Sequence, residues 1–220
     1  MYLLHTDSAN AVSLVKKMMV YFLLVILVAS AGFIYTIYKC ADAAEIVGRL
    51  RGYEVPRLEK TADLAYNAMA QSANVRAYLL YGNEQYLNEY KHFAAMNVKL
   101  EEEMLKESST EEARRLVAEI KELDDLYIQI IDNKVVPLMK AGQKEEAMQV
   151  VVSEAAPVAG KLIAKVDEAK AYRKNVIDQF TGQAMKTVAL TEVVAATAAF
   201  LAAVIGLIIA FFSARSITKP

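Results

Sequence analysis

Few side chains in this sequence are of a type and spacing that could do chemistry, and each has an ordinary structural alternative. Arg76 stands beside an apolar stripe. A guanidinium there offers two parallel donors to a carboxylate, and would serve equally in a structural salt bridge. The run Glu101-Glu102-Glu103 carries enough oxygen to suggest a cation, but three consecutive carboxylates on a helix are expected to form a solvated face. His92 has no second ligand at helical spacing, and His5 is the other histidine of the chain. Cys40 is the single cysteine, so no intrachain disulfide is available. Its preceding residues, Tyr38-Lys39, are too large for lipoprotein processing, and a free thiol is expected. In a parallel dimer Cys40 would also be a position for cross-linking. There is no glycine-rich phosphate loop, no nucleophile elbow and no His-x-x-x-His pair. No catalytic residue, metal site or cofactor is therefore expected, and a net charge of −1 gives no case for nucleic acid.

The elements that carry these residues fall into three parts. Hydrophobic residues make up 55% of the 220 residues, and the excess lies near the two ends. Residues 18–38 carry no charge, and as a helix they reach about 31 Å, the thickness of a bilayer core. Residues 193–212 are equally free of charge. Lys16 and Lys17 precede the first run, and Arg215 and Lys219 follow the second, which by the positive-inside rule puts both ends in the cytoplasm. Tyr21, Tyr35 and Tyr38 suit an interfacial aromatic belt, and Glu192 suits an anchor at the outer edge. A cleaved signal peptide is disfavoured, since the first run is long and no A-x-A site follows it. In the second run Ala198, Ala202, Gly206 and Ala210 recur every four residues, with Ala195, Ala199 and Ala203 beside them. Small residues at this spacing let helix backbones approach closely in lipid, within or between subunits.

The segment between the two runs is expected to be entirely helical. No period-two alternation with turn chemistry appears, and neither Gly nor Pro occurs between Gly82 and Pro137. The first helix continues to about Leu80, with Gly48, Gly52 and Pro56 bending or loosening it. Its seam is Leu58, Thr61, Ala65, Ala68, Ser72, Val75 and Leu79. Gly82 supplies a left-handed cap and Asn83 caps the next helix. That second helix, about 84–106, faces inward with Tyr86, Tyr90, Phe93, Asn97, Leu100 and Met104. Ser109 and Glu112 have the spacing of a capping box. The third helix, about 110–140, carries the clearest seam: Ala113, Leu116, Ile120, Leu123, Tyr127 and Ile130. Pro137 kinks its last turn and Gly142 ends it. The fourth starts near Gln143, is interrupted early by Pro157 and Gly160, and continues with Val158, Leu162, Val166, Ala169, Val176 and Phe180. Short connections make neighbours antiparallel, giving an all-α, up-down-up-down four-helix bundle.

Two hairpins and the C-terminal residues carry a family resemblance. Residues 75–90 (VRAYLLYGNEQYLNEY) and 134–151 (KVVPLMKAGQKEEAMQVV) resemble the two hairpins of the four-helix-bundle sensor domain of methyl-accepting chemotaxis receptors. Residues 213–220 (SARSITKP) resemble the beginning of a HAMP signal-relay helix. The resemblance covers nearly everything after about residue 14. It implies a cytoplasmic N-terminal segment (1–17), a transmembrane helix (18–38), an extracytoplasmic sensor bundle (39–188), a second transmembrane helix (189–212) and the start of a cytoplasmic relay (213–220).

It further implies a multi-pass receptor of the inner (cytoplasmic) membrane, a parallel homodimer, that detects a small-molecule ligand or a ligand-loaded binding protein. Cytoplasmic signalling partners would be reached through a C-terminal part beyond Pro220. Arginines in the region of Arg76 hold ligand carboxylates in amino-acid chemoreceptors. Tyr78 and Tyr81 would line the same pocket or simply pack. The same module resembles those fused to histidine kinases and nucleotide cyclases, and a structural membrane anchor without ligand is the alternative from another class.

Overall fold

The computed structural model describes the backbone of residues 4–218 and the side chains of residues 16–215 apart from Lys17 and Ser213. Lys219 and Pro220, and the side chains of His5, Lys17, Ser213, Ser216, Ile217 and Thr218, lie outside the described residues, and with them much of the HAMP-like ending. Among the described residues seven α-helices follow one another: α1 (Leu4–Arg49), α2 (Val55–Tyr81), α3 (Glu84–Glu107), α4 (Glu111–Ile130), α5 (Val136–Lys140), α6 (Lys144–Val150) and α7 (Ala156–Thr218). Among the described residues there is no strand. The chain forms two compact units, one of Met1–Gly48 with Phe180–Pro220 and one of Arg49–Gln179.

The Arg49–Gln179 unit is a four-helix bundle. Tight turns join its helices, and each is written in the local sequence. Gly82 ends α2 at φ 64°, a left-handed conformation that costs glycine nothing, and its N–H donates to the Tyr78 carbonyl. The Asn83 side chain then accepts the Gln85 N–H and starts α3. Gly142, at φ 78°, turns α5 into α6. Inside, two apolar clusters are stacked along the bundle. One gathers Val75, Tyr78 and Leu79 of α2 with Leu87 and Tyr90 of α3, Tyr127 and Ile130 of α4, and Ala147, Ala155 and Ala159 further on. The other gathers Leu64 and Ala68, Met104, Leu116 and Ile120, and Leu162, Val166 and Ala169 of α7. Leu64, Ile120 and Val166 are completely buried, and burial of such a side chain contributes about 1.5–3 kcal/mol.

Three π-helical turns interrupt the helices, at Leu50–Glu54, Ile131–Val135 and Val151–Ala155. Each is closed by an N–H reaching five residues back: Val55 to Leu50, Val136 to Ile131, Ala156 to Val151. Each also stands immediately before the same signal, since Pro56, Pro137 and Pro157 lie two residues beyond the turn. A proline inside an α-helix has no N–H to give and crowds the carbonyl four residues earlier. One extra residue in the preceding turn re-aims that carbonyl and lets the chain continue. The expected loosening near Gly52 and Pro56 thus takes this definite form. What was expected as one third helix over 110–140 is α4, a π turn and α5. Gly160 does not interrupt the fourth helix. It lies within α7, where a helical glycine costs only about 1 kcal/mol, and the break is the π turn before Pro157.

The capping box expected at Ser109 is also displaced by one residue. Thr110 adopts the extended backbone of an N-cap, and its hydroxyl accepts the Ala113 N–H at 3.2 Å. Glu112 does not reach back, being engaged with Arg115. Ser108 ends α3, its hydroxyl bonded to the Met104 carbonyl at 2.7 Å.

The other unit pairs α1 with the last part of α7. Both helices contain stretches long and apolar enough to cross a membrane, and the side chains of those stretches are unburied. Phe22, Leu27, Leu207 and Phe211 all point outward. The contact between the helices is made by small residues. A Cβ added to Gly32 would lie 2.7 Å from the Ala198 Cβ, so only glycine allows that approach. Ala29, Phe33 and Thr36 on one helix and Ala195 and Ala199 on the other line the cleft beside it. The Thr36 hydroxyl is bonded to the Gly32 carbonyl at 2.9 Å.

Candidate functional site

The bundle holds polar groups where a core would be expected to be dry. Between the two apolar clusters lies a belt formed by Gln71 of α2, Asn97 and Glu101 of α3, and Asp124 of α4, all essentially inaccessible to solvent. Helical spacing puts them there. Asp124 is four residues after Ile120 and three before Tyr127, and Glu101 is four after Asn97 and three before Met104, so each occupies an inward position of its seam. The Gln71 amide donates to Asp124 Oδ1 at 3.2 Å. Both Glu101 oxygens, Asp124 Oδ2, Gln71 Oε1 and Asn97 Oδ1 have no hydrogen-bond partner. Lys121 Nζ stands 4.0 Å from Glu101 Oε2 but binds Asp125 at 3.0 Å. Burial, with Asp124 close by, pushes the Glu101 carboxyl well above the ordinary carboxylate range. Burial likewise raises Asp124, with the Gln71 and Asn97 amides pulling the other way. The solvated face expected for Glu101-Glu102-Glu103 is therefore corrected: Glu102 is exposed and Glu103 half-buried, but Glu101 is a core residue.

A second polar cluster sits at the end of the bundle that contains the first π turn. Glu54, in that turn, is buried against two arginines. Arg57 Nη1 donates to Glu54 Oε1 at 2.9 Å, and Arg173 Nη1 of α7 lies 3.7 Å from Glu54 Oε2. Arg57 also donates to the carbonyl of Glu107, at the C-terminus of α3, where helix carbonyls lack partners. Lys60 completes the cluster, reaching Glu107 at 2.6 Å and Glu103 at 3.2 Å. Arg173 itself is only 5% exposed, and burial lowers its guanidinium from its ordinary value. The cluster thus ties α2, α3 and α7 together, with Glu54, Arg57 and Arg173 largely out of water and the links to α3 at the surface.

The residues expected to act lie elsewhere. Arg76 is exposed on α2, its Nε donating to the Ser72 carbonyl at 3.3 Å. Its positive charge lowers the neighbouring Tyr127, against a larger upward push from burial and together with the Ser72 side chain. Tyr78 is buried in the core, whereas Tyr81 is exposed and lies against Tyr86 with ring centroids 5.8 Å apart. Of the small residues in α7, Ala198 meets Gly32, while a Cβ on Gly206 would meet nothing within 4 Å; Ala202 is half-buried and Ala210 exposed. His92 is exposed beside Phe93, and Cys40 is an exposed thiol. Among the described residues no three His, Cys, Asp or Glu side chains are grouped to hold a metal.

A bundle of this architecture, with two flanking apolar stretches, invites comparison with known families. A family model described as a four helix bundle sensory module for signal transduction matches residues 11–188. The chain belongs to that family. The match takes in all four bundle helices and the first apolar stretch, and ends before the second. Neither a comparison with curated proteins nor one with solved structures gave a match. As a sensory module the chain has a sensor role in signal transduction, and its two long apolar helices fit a membrane protein.

Proposed function

We propose that the chain is the sensing portion of a transmembrane receptor, held in the cytoplasmic membrane by residues 18–38 and 189–212 with both ends in the cytoplasm, and working as a parallel homodimer in chemotaxis. The bundle meets a small molecule, or a binding protein carrying one, on its extracytoplasmic surface, and Arg76 is the candidate to hold a carboxylate there. The observation that carries this reading is α7, one helix over Ala156–Thr218 that bears both the Arg173 side of the buried clasp and the Ala198 contact with Gly32. A ligand shifts such a system only by favouring one arrangement of α7 over another, and coupling of about 1–3 kcal/mol is typical of allosteric responses. The HAMP-like residues 213–220 would pass the change to cytoplasmic signalling partners.

The test is a hybrid in which residues 1–220 are joined in frame to the cytoplasmic half of a characterised chemoreceptor. Amino acids and small carboxylates are expected to change its kinase output, and Arg76→Ala to weaken that response at least tenfold. Gly32→Leu, which forces the two apolar helices apart, is expected to fix the output in one state. A hybrid that couples to the kinase but answers no compound, and whose output Gly32→Leu leaves unchanged, would sink the reading.

A further inference from the structure

The polar belt has no part in the reading above, yet it is the least comfortable place in the bundle. Glu101 and Asp124 are each fully buried, and among their four oxygens only Asp124 Oδ1 has a hydrogen-bond partner. Two ionised carboxylates in such a setting would repel each other with little to compensate them. The neighbours do not supply enough positive charge. From α4, Lys121 approaches Glu101 but is bound to Asp125, whose own charge faces the pair, and Tyr127 lies next along the seam. From α3, Tyr90 is buried nearby with its hydroxyl unpartnered. From α2 comes the Gln71 amide and from α3 the Asn97 amide, both neutral, with Arg76 lying on the outer face beside Tyr127. α7 crosses the same level between Ala159 and Leu162 with no buried polar residue, and its Lys165 is paired with Glu119 and Glu168.

We propose that the Glu101–Asp124 pair is a proton-binding site inside the bundle, and that its occupancy sets how tightly the two apolar clusters are joined. The protonated carboxyl supplies the hydrogen-bond donor that the surrounding unpartnered oxygens lack. The surface is close: Lys121 and Asp125 line a groove with Ala118, Glu122, Leu126 and Gln129, and Lys121 Nζ stands 4.0 Å from Glu101 Oε2. The sign of the pH effect follows. Glu101 is pushed up from 4.5 to about 8 in the folded chain, and Asp124 is raised too. Between the ordinary carboxylate value and about 8 the folded state therefore binds more protons than the unfolded one. The stability held by the site is complete below that window and is lost as pH rises through it.

The experiment uses the full chain in detergent micelles, with thermal unfolding followed by circular dichroism at pH 5, 7 and 9. The wild-type midpoint is expected to fall by about 5–10 °C across this range. Glu101→Gln, which keeps the shape and cannot ionise, should lose at least half of that slope, while Glu102→Gln on the exposed face keeps it. Infrared spectra of the wild type at pH 6 should show a protonated-carboxyl carbonyl band that fades as pH is raised to 9, a measurement that stands even if the Gln variant fails to fold. Absence of that band, or equal slopes for wild type and Glu101→Gln, overturns the proposal. Stabilisation at pH 8 by calcium that Glu101→Gln abolishes would also overturn it, by assigning the pair to a metal ion.

Discussion

The two compact units of this chain solve the same packing problem with opposite residues. In the Arg49–Gln179 bundle, large apolar side chains such as Leu64, Met104, Leu116 and Ile120 point inward and disappear from solvent. In the paired apolar helices the large side chains point outward, and the contact is left to Gly32 and Ala198. The difference teaches what each unit expects of its surroundings. Burying apolar surface drives association only where the alternative is water. Where the alternative is lipid, helices gain instead from close backbone approach. The bundle has a further peculiarity, since it encloses ionisable groups at two levels, the belt and the Glu54 clasp, while the apolar pair leaves Glu192 exposed.

The comparison breaks most visibly at isoleucine. Ile120→Ala, at a completely buried site, is expected to destabilise the bundle by about 3–4 kcal/mol. Ile208→Ala, at a residue half exposed in the apolar pair, should move the thermal midpoint in micelles hardly at all. Equal effects would mean that the outward face of the pair is packed against something. Next in size is the clasp. Arg173→Ala leaves Glu54 with Arg57 as its remaining ion-pair partner and is expected to cost about 2–3 kcal/mol. The loss should be smaller in Arg173→Lys, so a midpoint unchanged by either substitution would remove the clasp from the account of stability. The smallest effect separates neighbours in sequence: Thr110→Ala should cost about 1 kcal/mol as a lost N-cap and Ser109→Ala almost nothing.

That last pair also marks the limit of what sequence alone discloses. The order of helices, the Gly82 and Asn83 turn and the α4 seam are visible because each depends on residues a few positions apart. The cap was misplaced by one residue because Ser109 and Thr110 both satisfy the local pattern, and only the backbone at Thr110 decides between them. Glu101 was read as solvated because it begins an acidic run, although its spacing from Asn97 and Met104 already gave it an inward position. The same periodicity would have found Asp124 between Ile120 and Tyr127. The Glu54–Arg173 contact had no local signature, since the partners are brought together only when the chain returns as α7. The π turns had one, in the prolines that follow them, but a proline predicts a disturbance and not the form it takes.

Those three wide turns have a consequence for geometry within the bundle. An α-helix turns about 100° with each residue, so one residue absorbed into a π turn offsets the azimuth of everything beyond it. Ile130 before the second turn, Ile131 and Val135 at its two ends and Val136 after it are all buried, although a strict α-helix would spread them around its side. The turns therefore act as phase correctors that keep a single face inward over a length where the natural pitch would drift. A helix that tightened one of them to ordinary α geometry would present a different face to its neighbours downstream.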